Sequence, residues 1–246
     1  MLLTFLLVFG GMVAVLQAEE DLAYTETFHL ENCKLLPRGV NDYFIPLRPW
    51  SYILLEGEEE DDEGESELIT VCIQVLPHKK VVDGVRCAVI LEREWVDEEL
   101  VEISWNYFAI CRKHKGVFYF GEDVDIYEDG EVVSHDGAWL AGVDGAKPGM
   151  IMPGLPLIGS RYYQEIAPDI ALDRAEHIDN TATIETEAGT FENCLLAAET
   201  TPLEPDELSL KAYAPGIGLV LDDAVRLIDY GHGECDVGDE EEEEEE

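Results

Sequence analysis

LITVCIQVL (Leu68–Leu76), VRCAVILEREW (Val85–Trp95) and LVEISWNYFAI (Leu100–Ile110) decide the fold. β-Branched and aromatic residues dominate each run, and such residues favour a pleated, half-buried surface. Turn-formers separate the runs: Asp83-Gly84 precedes the second and Asp97-Glu98-Glu99 the third. Val117–Phe120 follows the turn Lys113-His114-Lys115-Gly116. Glu128-Asp129-Gly130 reads as a tight hairpin turn, because Asp-Gly supplies the positive φ of a primed turn. Further runs lie at Thr181–Thr186, Cys194–Thr200, Leu208–Tyr213 and Gly218–Ile228. Turn signals recur roughly every ten residues with few helical periods, the pattern of an antiparallel meander.

The expected fold is therefore all-β: a single antiparallel curved sheet or half-barrel of roughly ten strands. Two segments depart from the strand pattern. Gly137–Gly159 (GAWLAGVDGAKPGMIMPGLPLIG) is too rich in glycine and proline for regular structure and is expected to be a long loop. Asp169–His177 (DIALDRAEH) reads as one short helix. The expected organisation is a signal peptide over 1–18, an N-terminal extension over 19–41, a β domain over 42–229 and an acidic tail over 230–246.

Charge decides what the chain avoids. It carries 55 acidic residues against 15 basic, a formal net of −40. Two runs are extreme, the loop 56–67 and the tail from Glu234 to Glu246. Like charges repel and bury nothing, so both are expected to be solvated and mobile. A field this negative repels phosphate backbones and anionic membranes, so nucleic acid is excluded as a partner. Cations and basic proteins remain allowed. High environmental salt is another reading of the same acidity.

Residues 1–18 (MLLTFLLVFGGMVAVLQA) are uncharged and almost wholly apolar, and they end in a small-residue cleavage site before Glu19 and Glu20. This predicts export, to a secreted, periplasmic or cell-envelope location, with no integral membrane segment after cleavage. Six cysteines (Cys33, Cys72, Cys87, Cys111, Cys194, Cys235) suit an oxidising compartment. No C-x-x-C occurs, so neither a redox site nor a zinc ribbon is indicated. Cys33 and Cys235 lie in the two extensions, and a bridge Cys33–Cys235 is expected to tie them. Buried thiols are the simpler reading of the other four.

No H-E-x-x-H, G-x-S-x-G or Walker loop is present, and no enzyme activity is expected. No cofactor is expected; Ca²⁺ is the one candidate ion. Its candidate ligands are Asp123 and Asp125, which alternate onto one strand face, with Asp136 and Asp144 nearby. Trp95 and Trp105 sit in strand patterns and read as core. Trp50 opens a strand. Trp139, in the glycine-rich segment, reads as exposed for stacking on a ligand.

NDYFIPLRPWSYILLEGE (41–58), FGEDVDIYEDGEVV with GAWLAGVDGAKPGMIMP (within 120–153), TFENCLLAAETTPLEP (190–205) and YAPGIGLV (213–220) stand in this order along the chain. Together they resemble the signatures of an uncharacterised group of exported, mostly bacterial β-proteins, over about three quarters of the length. The last is also similar to the TapB-like group of envelope proteins. The resemblance implies a curved antiparallel sheet like that of the lipoprotein carriers LolA and LppX, and it implies no activity. The chain departs from the pattern at Arg48-Pro49-Trp50, in the acidic segment 56–67 and in both cysteine-bearing extensions. Glu122, Asp144, Glu165 and Glu204 fall inside matching segments and, with Trp139, are the candidate ligand-binding residues. Cys87 and Cys194 lie in strands, and a pair Cys87–Cys194 is expected.

The expected function is that of a secreted, non-enzymatic binding or structural protein. Its ligand would be a small apolar molecule in the concave face or a partner protein. The alternatives are a calcium-dependent extracellular module and a carboxylate-based glycan hydrolase whose groove Trp139 lines.

Overall fold

The computed structural model describes residues 23–60, 64, 66–235 and 237. The expected signal peptide over 1–18 and most of the expected acidic tail lie outside these. After the short β1 (Leu35–Leu36), the strands β2 (Ser51–Glu60), β3 (Ser66–Val82), β4 (Val85–Val96), β5 (Glu99–Cys111) and β6 (Val117–Glu128) run as consecutive hairpins. The tight turns fall where Asp-Gly was expected, with positive φ at Asp83-Gly84 and at Asp129-Gly130. Next come β7 (Glu131–Ser134), β8 (Trp139–Leu140) and β9 (Lys147–Met152), all paired with β6. Two short strands follow, β10 (Arg161–Tyr163) and β11 (Glu165–Ile166). A second meander, β12 (Arg174–Thr186), β13 (Gly189–Thr201), β14 (Glu204–Ala214), β15 (Gly218–Asp222) and β16 (Val225–His232), completes the fold.

β16 pairs with β2, so the two meanders form one antiparallel sheet. Its edges are then brought together by a single segment. β10 hydrogen-bonds to β12 at one edge, β11 to β9 at the other, and only Gln164 separates the two strands. The sheet is thereby a nearly closed barrel. Closure requires backbone contact at β9: a Cβ on Gly149 would lie 2.3 Å from the Gln164 backbone. Gly121 does the same on β6 with φ +129, where a Cβ would meet the Trp139 carbonyl oxygen at 2.3 Å.

The core follows strand parity. Ile53 and Leu55 on β2, Val71 and Val75 on β3, and Ile90 on β4 are buried. Full burial of each such side chain contributes about 1.5–3 kcal/mol. The N-terminal extension packs on β5 and β6, where Phe28 meets Phe118 edge-on with centroids 5.9 Å apart. Phe44 and Ile45 are also buried, and Phe44 packs edge-on against Phe108. Among the described residues no helix is long and apolar enough to cross a membrane.

Several sequence expectations are corrected here. The bridges are Cys33–Cys111 and Cys72–Cys235, so each extension is tied to the barrel rather than to the other extension. Cys87 and Cys194 are buried free thiols, not a pair. Asp169–His177 is not a helix. Ala175 and His177 are buried while Glu176 between them pairs with Arg161, a period of two that belongs to a strand. Gly137–Gly159 is not without regular structure, because β6 offers a long edge and the glycines let β8 and β9 reach it. Nor is 56–67 simply a solvated loop. Glu56–Glu60 and Ser66–Glu67 are paired strand, with Glu58 opposite Leu68 and Glu59 opposite Glu67. Trp50 stands just before β2, in a turn with φ 71. Trp95 packs with Leu54 and the Cys72–Cys235 bridge, in a small cluster apart from the main core.

Candidate functional site

Phe44, Ile53, Ile73, Ile90, Phe108, Tyr213 and Leu219 come from different places along the sheet and its N-terminal lead-in, yet they line one small cavity of about 120 Å³. Glu92 and Lys211 line it too. This is the barrel lumen, and its wall changes character along the strands. Phe44, Phe108, Tyr119 and Trp139 form a ladder with successive centroid distances of 5.2, 4.6 and 5.2 Å. Trp139 sits directly opposite Glu122 in the β6–β8 register. The ladder thus leads from an apolar end to an acidic one.

The acids arrive by parity. Glu92 and Glu94 follow Ile90 on alternate positions of β4; Glu92 is opposite Ser104, and Glu94 opposite Glu102. Asn106 is opposite Glu122 across β5 and β6. From the far side, Glu199 follows Leu195 and Ala197 on β13, and Lys211 and Tyr213 alternate on β14. Lys211 Nζ lies 3.0 Å from Asp222 Oδ2 and 3.5 Å from Glu199 Oε2. Gln164 Nε2 donates to Glu199 Oε1 at 2.8 Å, and Tyr213 OH donates to the same oxygen at 3.3 Å. Tyr119 OH donates to Asn106 Oδ1, and Glu165 Oε1 accepts the Asp173 N–H at 2.7 Å.

The electrostatics follow from enclosure. Burial pushes Glu92 up to about 8, partly offset by Lys211 and reinforced by Asp222, Glu102 and Glu94. Burial likewise raises Glu122 to about 7, with the neighbouring Tyr119 hydroxyl opposing the change and Glu102 adding to it. Glu165 is raised well above the carboxylate range by burial and by Asp173; Glu94, Glu102 and Glu199 are raised chiefly by burial. These groups are surrounded by protein but not sealed. Lys211 keeps 27% of its side-chain surface, Asp222 28% and Glu199 12%, so water reaches them. Three buried polar atoms nearby have no partner: Gln164 Oε1, Trp139 Nε1 and His177 Nδ1. His177 Nε2 shares a 2.8 Å hydrogen bond with Tyr162 OH, and burial lowers its pKa to about 4.

Of the expected ligand-binding residues, Glu122, Trp139 and Glu165 meet in this wall. Trp139 is buried, 4% exposed, and so is no surface stacking platform. Asp144 and Glu204 are exposed and lie in turns or strand ends away from it. The expected calcium ligands are scattered. Asp123 accepts from Tyr107 OH and pairs with Lys80 at 3.2 Å, and Asp125 pairs with His135 at 2.9 Å. Asp136 and Asp144 sit exposed in separate turns. Among the described residues the one set of potential metal ligands within 4.8 Å of each other is Cys33, Cys111 and His114, and the two cysteines are disulfide-bonded. Calcium is accordingly expected to shift the melting temperature no more than magnesium does at equal ionic strength. A shift larger by about 3 °C or more would restore a specific site.

Sequence reading missed Glu92, Glu94, Glu102, Glu199, Lys211 and Asp222. The available signal was parity: in AVILEREW and NCLLAAET an acid occupies the position class of buried apolar residues. A larger hollow of about 950 Å³ lies on the outer face by Trp50, Arg93 and Trp95. The chain's own Cys235 and Val237 line it, and Arg93 Nη2 donates to the Cys235 carbonyl there. It holds none of the converging acids. Comparison of the chain with protein-family models, curated proteins and solved structures gave no match.

Proposed function

We propose that this is an exported, non-enzymatic binding protein that holds a small ligand inside the barrel lumen. The observation that carries the reading is the lumen wall itself. Phe44, Ile53, Ile73, Ile90, Phe108 and Leu219 face a cavity that ends at Glu92 and Lys211. An apolar pocket with a few convergent polar groups is the usual form of a small-molecule site. Export is supported by the apolar leader sequence and by two disulfides that tie both extensions to the barrel.

A block of the lumen tests this. In Ile73→Trp the indole fills the space between Ile53 and Ile90. Native mass spectrometry is expected to show small molecules taken up by the wild-type chain and refused by the folded Ile73→Trp variant. Equal uptake by both, or none by either across a panel of apolar, amine and carboxylate compounds, would overturn the proposal.

The raised carboxyls of Glu122, opposite Trp139 across β6 and β8, and of Glu165, close enough for Glu122 to act on it, also favour a second reading, glycan hydrolysis by paired acids. Release of sugar from chromogenic glycosides by the wild type, lost in Glu122→Gln, would establish it.

A further inference from the structure

The 55 acids are spread unevenly. None falls in 33–41, 103–121 or 145–164, and these three stretches hold seven of the 15 Lys and Arg residues. The fold gathers parts of all three at one end of the barrel. The Cys33–Cys111 bridge and the β1–β5 pairing bring the first onto the end of β5, where the Arg112 N–H donates to the Lys34 carbonyl at 3.0 Å. Buried Asn41 then joins the three: its Nδ2 donates to the Lys115 carbonyl at 2.9 Å and to the Pro153 carbonyl at 3.0 Å. Gly154 packs so closely against the same turn that a Cβ would lie 1.5 Å from the His114 carbonyl oxygen.

This end presents cations and apolar side chains together. Lys34, Arg38, Arg112, Lys113 and Lys115 are exposed, and among the described residues no ion pair involves any of them. On a chain of net −40, five unpaired cations in one place mark a surface from which acids are kept away. Beside them Leu155 is 75% exposed, the highest of the large apolar side chains described, with Leu157 at 61% and Ile158 at 51%. Backbone bonds hold this loop in a fixed, projecting form: Ser160 N–H donates to the Leu157 carbonyl, and Gly159 N–H to the His177 carbonyl. Pro153 and Pro156 carry no N–H, so the loop offers a partner strand only a broken ladder.

We infer that this barrel end rests on an anionic lipid surface. Leu155, Leu157 and Ile158 enter the boundary between headgroups and acyl chains, and the five cations meet the lipid phosphates. An acidic protein segment would use the cations and leave the leucines in water, whereas a lipid interface uses both. The net charge repels such a surface at a distance, but at about 0.1 M salt charges beyond about 10 Å are screened, and the near end governs contact. The same repulsion orients the molecule. The acidic β2–β3 hairpin lies at the other end of β3, β4 and β5 from the 112–115 turn and is held away from the lipid.

Flotation of the exported chain with lipid vesicles at about 0.1 M salt tests this. Vesicles with about one third phosphatidylglycerol are expected to bind it at least tenfold more tightly than vesicles of phosphatidylcholine alone. Lys113→Gln and Lys115→Gln are each expected to weaken that binding about fivefold. Arg226→Gln removes the same charge from an exposed position on β16 and should leave it unchanged. Leu155→Ser is expected to weaken it about tenfold without lowering the melting temperature. No binding to the anionic vesicles, or equal binding to both kinds, overturns the inference. So does anionic binding that Arg226→Gln weakens as much as Lys113→Gln, or that Leu155→Ser leaves intact. Self-association lost in Lys113→Gln, with no vesicle binding, also overturns it and gives this end to the acidic tail of a second copy.

Discussion

Between pH 5 and pH 8.5 the wild-type chain is expected to lose stability steadily, and Glu92→Gln to remove part of that loss. Glu92 is raised from 4.5 to about 8, with burial as the first cause and Asp222, Glu102 and Glu94 reinforcing it against Lys211. In the unfolded chain it ionises near 4.5, so between 4.5 and 8 the native state holds a proton that the unfolded state has released. Stability then falls with rising pH through this window and levels off above 8. A tenfold change in an ionisation equilibrium corresponds to about 1.4 kcal/mol, and residual hydration of the lumen reduces the full effect to roughly 2–4 kcal/mol for this residue. Glu122 adds a smaller loss of the same sign up to about 7, and Glu165, raised well above the carboxylate range by burial, adds a further one. Lys211 adds none in this range, because its raised pKa matters only above the ordinary lysine value. Urea unfolding at several pH values reads the slope. A wild-type profile flat from pH 5 to 8.5, or a Glu92→Gln profile parallel to it, would show the carboxyl to be freely hydrated.

Much of this protein was legible as sequence, and the limit falls at a definite place. The β-branched and aromatic residues of LITVCIQVL and LVEISWNYFAI showed strands, and Asp-Gly marked the tight turns, because both signals act within a few residues. Closure depends on pairings far apart in the chain. β16 meets β2 and β10 meets β12 by register, and nothing local to Arg161–Ile166 says that it will span two edges. The strands around Trp139 were hidden for a related reason. Glycine there permits close approach to β6 rather than breaking regular structure, and the same close packing buries the indole. The disulfides depended on the same closure. Cys72 and Cys235 are 163 residues apart and meet because β16 returns beside β2 and β3.

The lumen acids were hidden in a crowd. With 55 acids on the chain, Glu92 and Glu199 differ from the rest only in strand parity. Parity requires knowing where each strand begins and which face turns inward. Glu122 and Glu165 were found through the resemblance, and Asp144 and Glu204 came with them although they stand outside the site.

Replacing Lys211 by methionine is expected to be the most damaging single change in the lumen. Its ammonium lies between Asp222 and Glu199, and its positive charge also holds the Glu92 pKa down against burial. Methionine keeps much of the stem's bulk and removes only the charge and the hydrogen bonds. Taking one partner from a buried ion pair typically costs about 3–5 kcal/mol, because the remaining charge is left uncompensated. Water access to the pair lowers this to roughly 2–3 kcal/mol at pH 8. At pH 5 the cost is expected to be smaller, since burial raises Glu199 and the loss of Lys211 raises it further, so less charge is left uncompensated than at pH 8. Adding Glu199→Gln to Lys211→Met removes one of the stranded carboxylates and should recover about half the loss at pH 8. Urea unfolding of the wild type and of both variants at both pH values measures this. A cost below about 0.5 kcal/mol at pH 8 would mean that bulk water screens the pair.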